Sequence, residues 1–234
     1  MPTGREIMKQ ASVILNDDEY VRWPMSELKD WINEGVRAIV LAKPSASSKS
    51  IALKLAVGTL QYISADSAPA VPLSLVKIVR NLKSDVLPRV GSRTITATLG
   101  TLLDAQDPFW HDPLRTRYKK EALHYVYDEN NPLEFYVYPG NDGTGVLEAI
   151  ISFLPDPLKA TGSENEIASY AGEVGLPEPY SVPLLDYVLY RALSKDDLTG
   201  NPTQAGAHYQ QFATAVGLKI QVEAATTPNA RRSA

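Results

Sequence analysis

Asp104, Asp107 and Asp112 cluster around Phe109-Trp110. Carboxylates this close can hold a hard cation or divide general acid and base roles. A glycan hydrolase needs such a pair roughly 5 to 9.5 Å apart across a cleft. Aspartate is also the usual cap of a tight turn, and two prolines, Pro108 and Pro113, flank these residues. The pattern therefore reads first as turn chemistry, with Trp110 anchoring the loop.

Glu121-x-x-His124 is half of a di-iron pattern, which requires two such pairs on facing helices. The other histidines, His111 and His208, complete no zinc spacing, and there is no cysteine. Ser74-x-x-Lys77 has the spacing of a serine–lysine nucleophile pair without its companion motifs. Gly140 to Gly145 is glycine-rich, but it lacks the Lys-Ser/Thr of a phosphate loop and reads as a hairpin turn. Tyr118, Tyr125, Tyr127, Tyr136 and Tyr138 cluster in sequence. They suit sheet-stabilising pairs, a stacking platform or a protein interface. No catalytic residue, cofactor site or metal site is assigned.

The elements that carry these residues follow from hydrophobic period. Ile7, Ala11, Ile14 and Leu15 make one helical stripe, so a helix is expected over 6–16. Leu28, Ile32, Val36, Ile39 and Val40 make another over 24–43, closed by Lys43-Pro44. Between 51 and 154 the period falls to two. Strands are expected at 51–57, 59–63, 75–82 and 92–98, with a helical turn at 99–105. A three-strand meander is expected over 123–154. Helical spacing returns at 182–195 and 202–216, where Gly217 suits the position just past a helix end.

This order predicts an α+β fold. Its helical body is discontinuous, 1–44 and 178–217. A β-rich domain, 45–177, is inserted into it, and a tail, 218–234, follows. The length allows one large domain or two modest ones. The net charge of −4 and the scattered Lys and Arg argue against tight nucleic-acid binding. The local clusters Arg115 to Lys120 and Arg231-Arg232 read as solvated surface. No run of about 18 apolar residues is present, and the N-terminus shows no secretory pattern, so synthesis in a cytoplasm is expected.

Several blocks in order carry a family resemblance. They are Ile14-Leu15-Asn16-Asp17 with Trp23-Pro24-x-x-Glu27-Leu28-x-x-Trp31-x-Asn33-Glu34; Val79-Arg80-Asn81; Leu103-Asp104-Ala105-Gln106-Asp107-Pro108-x-Trp110-His111; His124-Tyr125-Val126-Tyr127-Asp128 with Phe135 to Pro139; and Leu189-Tyr190-Arg191-Ala192 with Asn201-Pro202 and Ala207-x-Tyr209-x-x-Phe212. Together they resemble the head-to-tail adaptors of tailed bacteriophages, in particular the tail tubular A-like proteins of short-tailed phages.

The resemblance implies a non-enzymatic virion protein, assembled in the host cytoplasm and placed in the neck. It implies a ring of identical subunits, usually twelve, between the portal protein and the tail nozzle, with double-stranded DNA passing through the lumen without specific binding and no membrane contact. Twelve copies at −4 each would carry −48. Lumen-facing residues are accordingly expected to be acidic or small. Portal docking is expected from Leu218, Ile220, Val222, Arg231 and Arg232. Subunit contacts are expected from Trp23, Trp31, Tyr187, Tyr190, Arg191 and Tyr209. The alternative reading is a virion-associated glycan-binding or cell-wall hydrolase module.

Overall fold

A computed structural model describes residues 1–64, 70–195 and 201–226, with 218–226 as backbone only. The fold is mixed α+β. It divides into two compact units: Met1–Ser47 with Pro155–Ala234, and Ser48–Leu154.

The first unit holds four helices: α1 (Gly4–Leu15), α2 (Met25–Ala42), α4 (Ser181–Leu193) and α5 (Pro202–Thr226). Thr3 starts α1 with a reciprocal cap. Its hydroxyl accepts from the Glu6 N–H at 3.3 Å, and its own N–H donates to Glu6 Oε2 at 2.8 Å. Pro24 is the cap of α2 rather than its first helical residue. The apolar stripe expected on α2 is buried throughout, Leu28, Ile32, Val36, Ile39 and Val40, and on α4 Leu184, Val188, Leu189 and Ala192 are buried. On α1 the stripe holds only in its first half: Ile7 and Ala11 are buried with Met8, whereas Ile14 is exposed. A Cβ at Gly35 would overlap Leu184 and the Tyr187 ring, so glycine is what lets α2 approach α4 this closely.

Residues 155–177, expected to belong with the strands, sit among the helices. Asn33 on α2 grips this stretch twice: Leu158 N donates to its Oδ1 at 2.7 Å, and its Nδ2 donates to Leu158 O at 3.1 Å. Gly4 N donates to Gly172 O, and Val174 N to Pro2 O. The stretch is polar in composition, yet Tyr170, Val174 and Leu176 are buried. The end of α5 also departs from expectation. The helix runs on through Gly217 to Thr226, since a glycine mid-helix costs only about 1 kcal/mol and need not stop it.

The second unit holds β1 (Ser48–Lys54), β2 (Val57–Tyr62), β3 (Val71–Leu82), β4 (Gly91–Thr94), β5 (Thr96–Ala97), the short helix α3 (Gly100–Gln106), β6 (His124–Tyr127), β7 (Glu134–Asp142) and β8 (Val146–Leu154). They form two four-stranded sheets, ordered β1-β8-β3-β4 and β2-β7-β6-β5. The sheets bury a shared core that includes Leu53, Ile78, Phe135, Val137, Leu147, Ala149, Ile151 and Phe153.

Two expectations are corrected here. The meander holds only for its first two strands: β6 pairs antiparallel with β7 as expected, but β7 then pairs with β2, and β8 pairs with β1 and β3 in the other sheet. Residues 140–142 thus continue β7, and 143–145 cross between the sheets instead of closing a hairpin. Alternating apolar residues on β7 and β8 are satisfied better by facing each other across the core than by lying side by side. The strand expected over 92–98 is likewise divided. Gly91–Thr94 joins the first sheet, buried Ile95 marks the step, and Thr96–Ala97 joins the second, parallel to β6. The poor alternation of β3 comes from register shifts against β8 between Pro72/Ser74, Leu75/Lys77 and Ile78/Arg80.

Candidate subunit-contact surface

The chemistry-bearing side chains in the β unit are engaged in local hydrogen bonds. Asp104 Oδ1 accepts from Trp110 Nε1 at 2.9 Å. Asp107 Oδ2 accepts from the Thr116 hydroxyl at 2.7 Å, and Asp112 Oδ1 accepts from Leu114 N at 2.9 Å. Each carboxylate is occupied by a local donor, as turn caps are. Glu121 bonds the Ser92 hydroxyl while His124 bonds Thr96, so the two do not converge. His111 bonds the Thr59 hydroxyl at 2.8 Å. Among the described residues no group of three or more acidic, His or Cys side chains could hold a metal ion.

The tyrosines do not share a face. Tyr125 and Tyr127 pack against the inner core beside Phe135 and Val137. Tyr136 and Tyr138 lie on the outer face, edge-on to buried Trp110 at 6.0 and 6.2 Å. Burial pushes the Tyr125 and Tyr127 hydroxyls up, further so for Tyr127 beside Glu129.

The helical unit carries a different kind of surface. Tyr187 and Tyr190 on α4 meet Tyr209 and Phe212 on α5 in one aromatic row. Ring centroids are 5.9 Å apart for Tyr187–Tyr190, 5.1 Å for Tyr187–Phe212 and 4.9 Å for Tyr190–Tyr209. Phe212 is buried, while Tyr209 remains 50 % exposed. Beside the row, Trp31, Tyr190 and Arg191 line an open groove with Glu27, Ser194 and Lys195. Arg191 Nη1 lies 3.3 Å from Glu34 Oε2, and Lys195 Nζ 2.8 Å from Glu27 Oε2. These two pairs run in opposite order along α2 and the end of α4, as antiparallel helices require. Burial pushes the Tyr187 hydroxyl up, and the Glu34 carboxylate adds to this.

Five of the six residues expected at a subunit contact, Trp31, Tyr187, Tyr190, Arg191 and Tyr209, therefore share this face. Trp23 does not. It is 5 % exposed, and its Nε1 donates to Ala192 O at 2.9 Å, so it fastens the loop before α2 to α4. Glu27, Glu34, Lys195 and Phe212 belong to the face but were not expected at a subunit contact. For the charged ones a signal was present as acids seven apart on α2, with Arg191 on α4 and Lys195 just past its end. Asp186 and His208 add a further α4–α5 link at 2.9 Å. Of the residues expected to dock on a portal, the side chains of Leu218, Ile220 and Val222, and all of Arg231 and Arg232, lie outside the described residues.

No described helix is long and apolar enough to cross a membrane. A family model described as SU10 adaptor protein matches residues 2–232. No curated protein matches the chain.

Proposed function

The chain belongs to the SU10 adaptor protein family, a phage adaptor family, and from that premise we propose that it is a structural, non-catalytic subunit of a head-to-tail adaptor ring in the virion neck. Identical subunits would close around an axis through a contact that is not self-complementary, the arrangement that generates rings. The ring would join the portal to the tail or nozzle and continue the channel through which DNA leaves the head.

The observation that supports the lateral contact is the α2–α4–α5 face, where half-exposed Tyr209 and the Trp31 groove stand beside Arg191 and Lys195. Tyrosine, tryptophan and arginine are the residues that concentrate binding energy at interfaces. The ion pairs on this face are partly solvent-exposed, so in the free subunit they add little stability. They would instead set which neighbour fits.

Portal docking is assigned to the C-terminal segment with Leu218, Ile220, Val222, Arg231 and Arg232. The test is negative-stain electron microscopy of the protein mixed with purified portal rings. Full-length protein should decorate one end of each portal as a ring. A chain lacking residues 219–234 should keep its circular dichroism spectrum and fail to decorate. Normal decoration by the truncated chain would overturn the docking assignment. A full-length protein that never forms rings, with or without portal, would overturn the adaptor-ring reading.

A further inference from the structure

The segment Arg115-Thr116-Arg117-Tyr118-Lys119-Lys120 has no part in the helical face. Its residues 117 and 118 belong to no regular element, and Lys119 makes a single bridge to Asn141. In extended backbone, alternate side chains point to opposite sides. Tyr118 accordingly turns inward. Its hydroxyl donates to His111 O at 2.8 Å, and its ring lies where a Cβ at Gly140 would be. Arg117 and Lys119, its neighbours on either side, line one groove of about 350 Å³ together with Arg115 and Thr116 from the preceding turn, Tyr138 and Asp107.

All three cations are exposed, and none forms an ion pair among the described residues. Arg115 lies 4.8 Å over the Phe109 ring, which holds its guanidinium without neutralising it. Asp107 is the one carboxylate in the groove, and its Oδ2 is taken by the Thr116 hydroxyl at 2.7 Å and approached by Tyr138 at 3.5 Å. Three cations against one engaged carboxylate leave this groove positive on a chain whose net charge is −4.

We propose that the groove lined by Arg115, Arg117 and Lys119 binds the phosphodiester backbone of duplex DNA. A row of unpaired guanidinium and ammonium groups neutralises phosphates without reading bases, and such contacts carry no sequence preference. A protein partner would need an apolar centre to the contact; this groove instead sets three cations around Leu123, the Tyr138 ring and buried Pro139. The choice of DNA over other phosphate carriers rests on the adaptor reading; the anion site itself does not.

The experiment uses the full-length protein and a short fluorescein-labelled duplex, with anisotropy titrations across a range of salt. The wild type should bind with an affinity that falls as salt rises. The variant Arg115→Gln/Arg117→Gln/Lys119→Gln should bind about tenfold or more weakly at low salt and lose about 2 to 3 from the log–log salt slope. Arg115→Lys/Arg117→Lys should bind nearly as the wild type, because the phosphate contact needs charge. Ring formation should be unchanged in every variant, which separates failure of this site from failure of the adaptor reading. Equal DNA affinity in wild type and triple Gln variant would overturn the proposal. Tighter binding of poly-glutamate than of DNA would reassign the groove to an acidic protein segment. Displacement of the duplex by millimolar inorganic phosphate at constant ionic strength would reduce it to a free-phosphate site.

Discussion

The ring of Tyr190 on α4 lies 4.9 Å from the ring of Tyr209 on α5, tilted by 49°. Tyr209 is half-exposed, so the pair is supported from below by Tyr187 and Phe212 and open above. Truncating Tyr209 to alanine should cost the free subunit only about 1 kcal/mol, the worth of one aromatic pair. The same change at the centre of a subunit contact should weaken self-association tenfold or more, since anchors of this type cost over about 1.4 kcal/mol. Sedimentation velocity across protein concentrations, alongside thermal unfolding, separates the two effects. Unchanged association with a lowered Tm would remove Tyr209 from the contact.

Trp23 should behave in the opposite way. Replacing it with phenylalanine keeps most of the buried ring but removes the Nε1 donor from Ala192 O, which keeps only the backbone N–H groups at the end of α4. A loss of about 1 kcal/mol in urea unfolding is expected, with no change in ring assembly at temperatures where the variant is folded. Impaired assembly of a folded W23F protein would return Trp23 to the interface.

The helices and the identity of the strands were legible because burial on one face imposes a period, and period survives in sequence. Sheet membership was not legible. Leu147, Ala149, Ile151 and Phe153 alternate in the same way whether β8 lies beside β7 or opposite it. Only contacts distant in sequence, such as Ser50 with Ile150, decide between them. The residues that carried the family resemblance proved to be largely fasteners of the chain to itself. Asn33 holds Leu158, Asn81 holds Ala122 and Arg93, and Trp110 holds Asp104. Those short motifs therefore report the fold more directly than the job. The contact face was partly legible through Tyr190, Arg191 and Tyr209. Its acidic half, Glu27 and Glu34, needed the α2–α4 pairing to be recognised.

Asn141, fully buried, sits where the chain crosses from one sheet to the other. Its Nδ2 donates to Lys119 O and Lys120 O at 3.0 and 2.8 Å, and its Oδ1 accepts from Gly143 N and Gly145 N at 2.8 and 3.1 Å. Alanine at this position would remove the partner of four backbone groups at once, the buried Gly145 N–H among them. A destabilisation of about 3 kcal/mol is expected, with hydrogen exchange rising first at the Gly143 and Gly145 amides. Aspartate should not rescue it, because a carboxylate cannot donate to the two carbonyls. Rescue by aspartate would mean that the donor half of the clamp is dispensable.

Glu148 on β8 gathers three strands of one sheet and the loop before β4. Its Oε2 accepts from Arg80 Nε at 2.6 Å, its Oε1 accepts from the Ser50 hydroxyl at 2.9 Å, and Arg89 Nη1 lies 3.7 Å from Oε1. Desolvation alone would raise its pKa, but the Arg80 and Ser50 hydrogen bonds and the Arg80 and Arg89 charges together hold it below the usual glutamate range. A carboxylate depressed in the folded state stabilises fully above its unfolded-state pKa, about 4.3, and that contribution is lost as pH falls through the lower folded-state value. Acid should therefore weaken the β unit through this residue. Glu148→Gln should lower stability at pH 7 by about 2 kcal/mol and flatten the decline below about pH 4.5. Urea midpoints measured from pH 3 to pH 7 for both proteins check this; parallel curves for wild type and E148Q would show that Glu148 is not the group acid acts on.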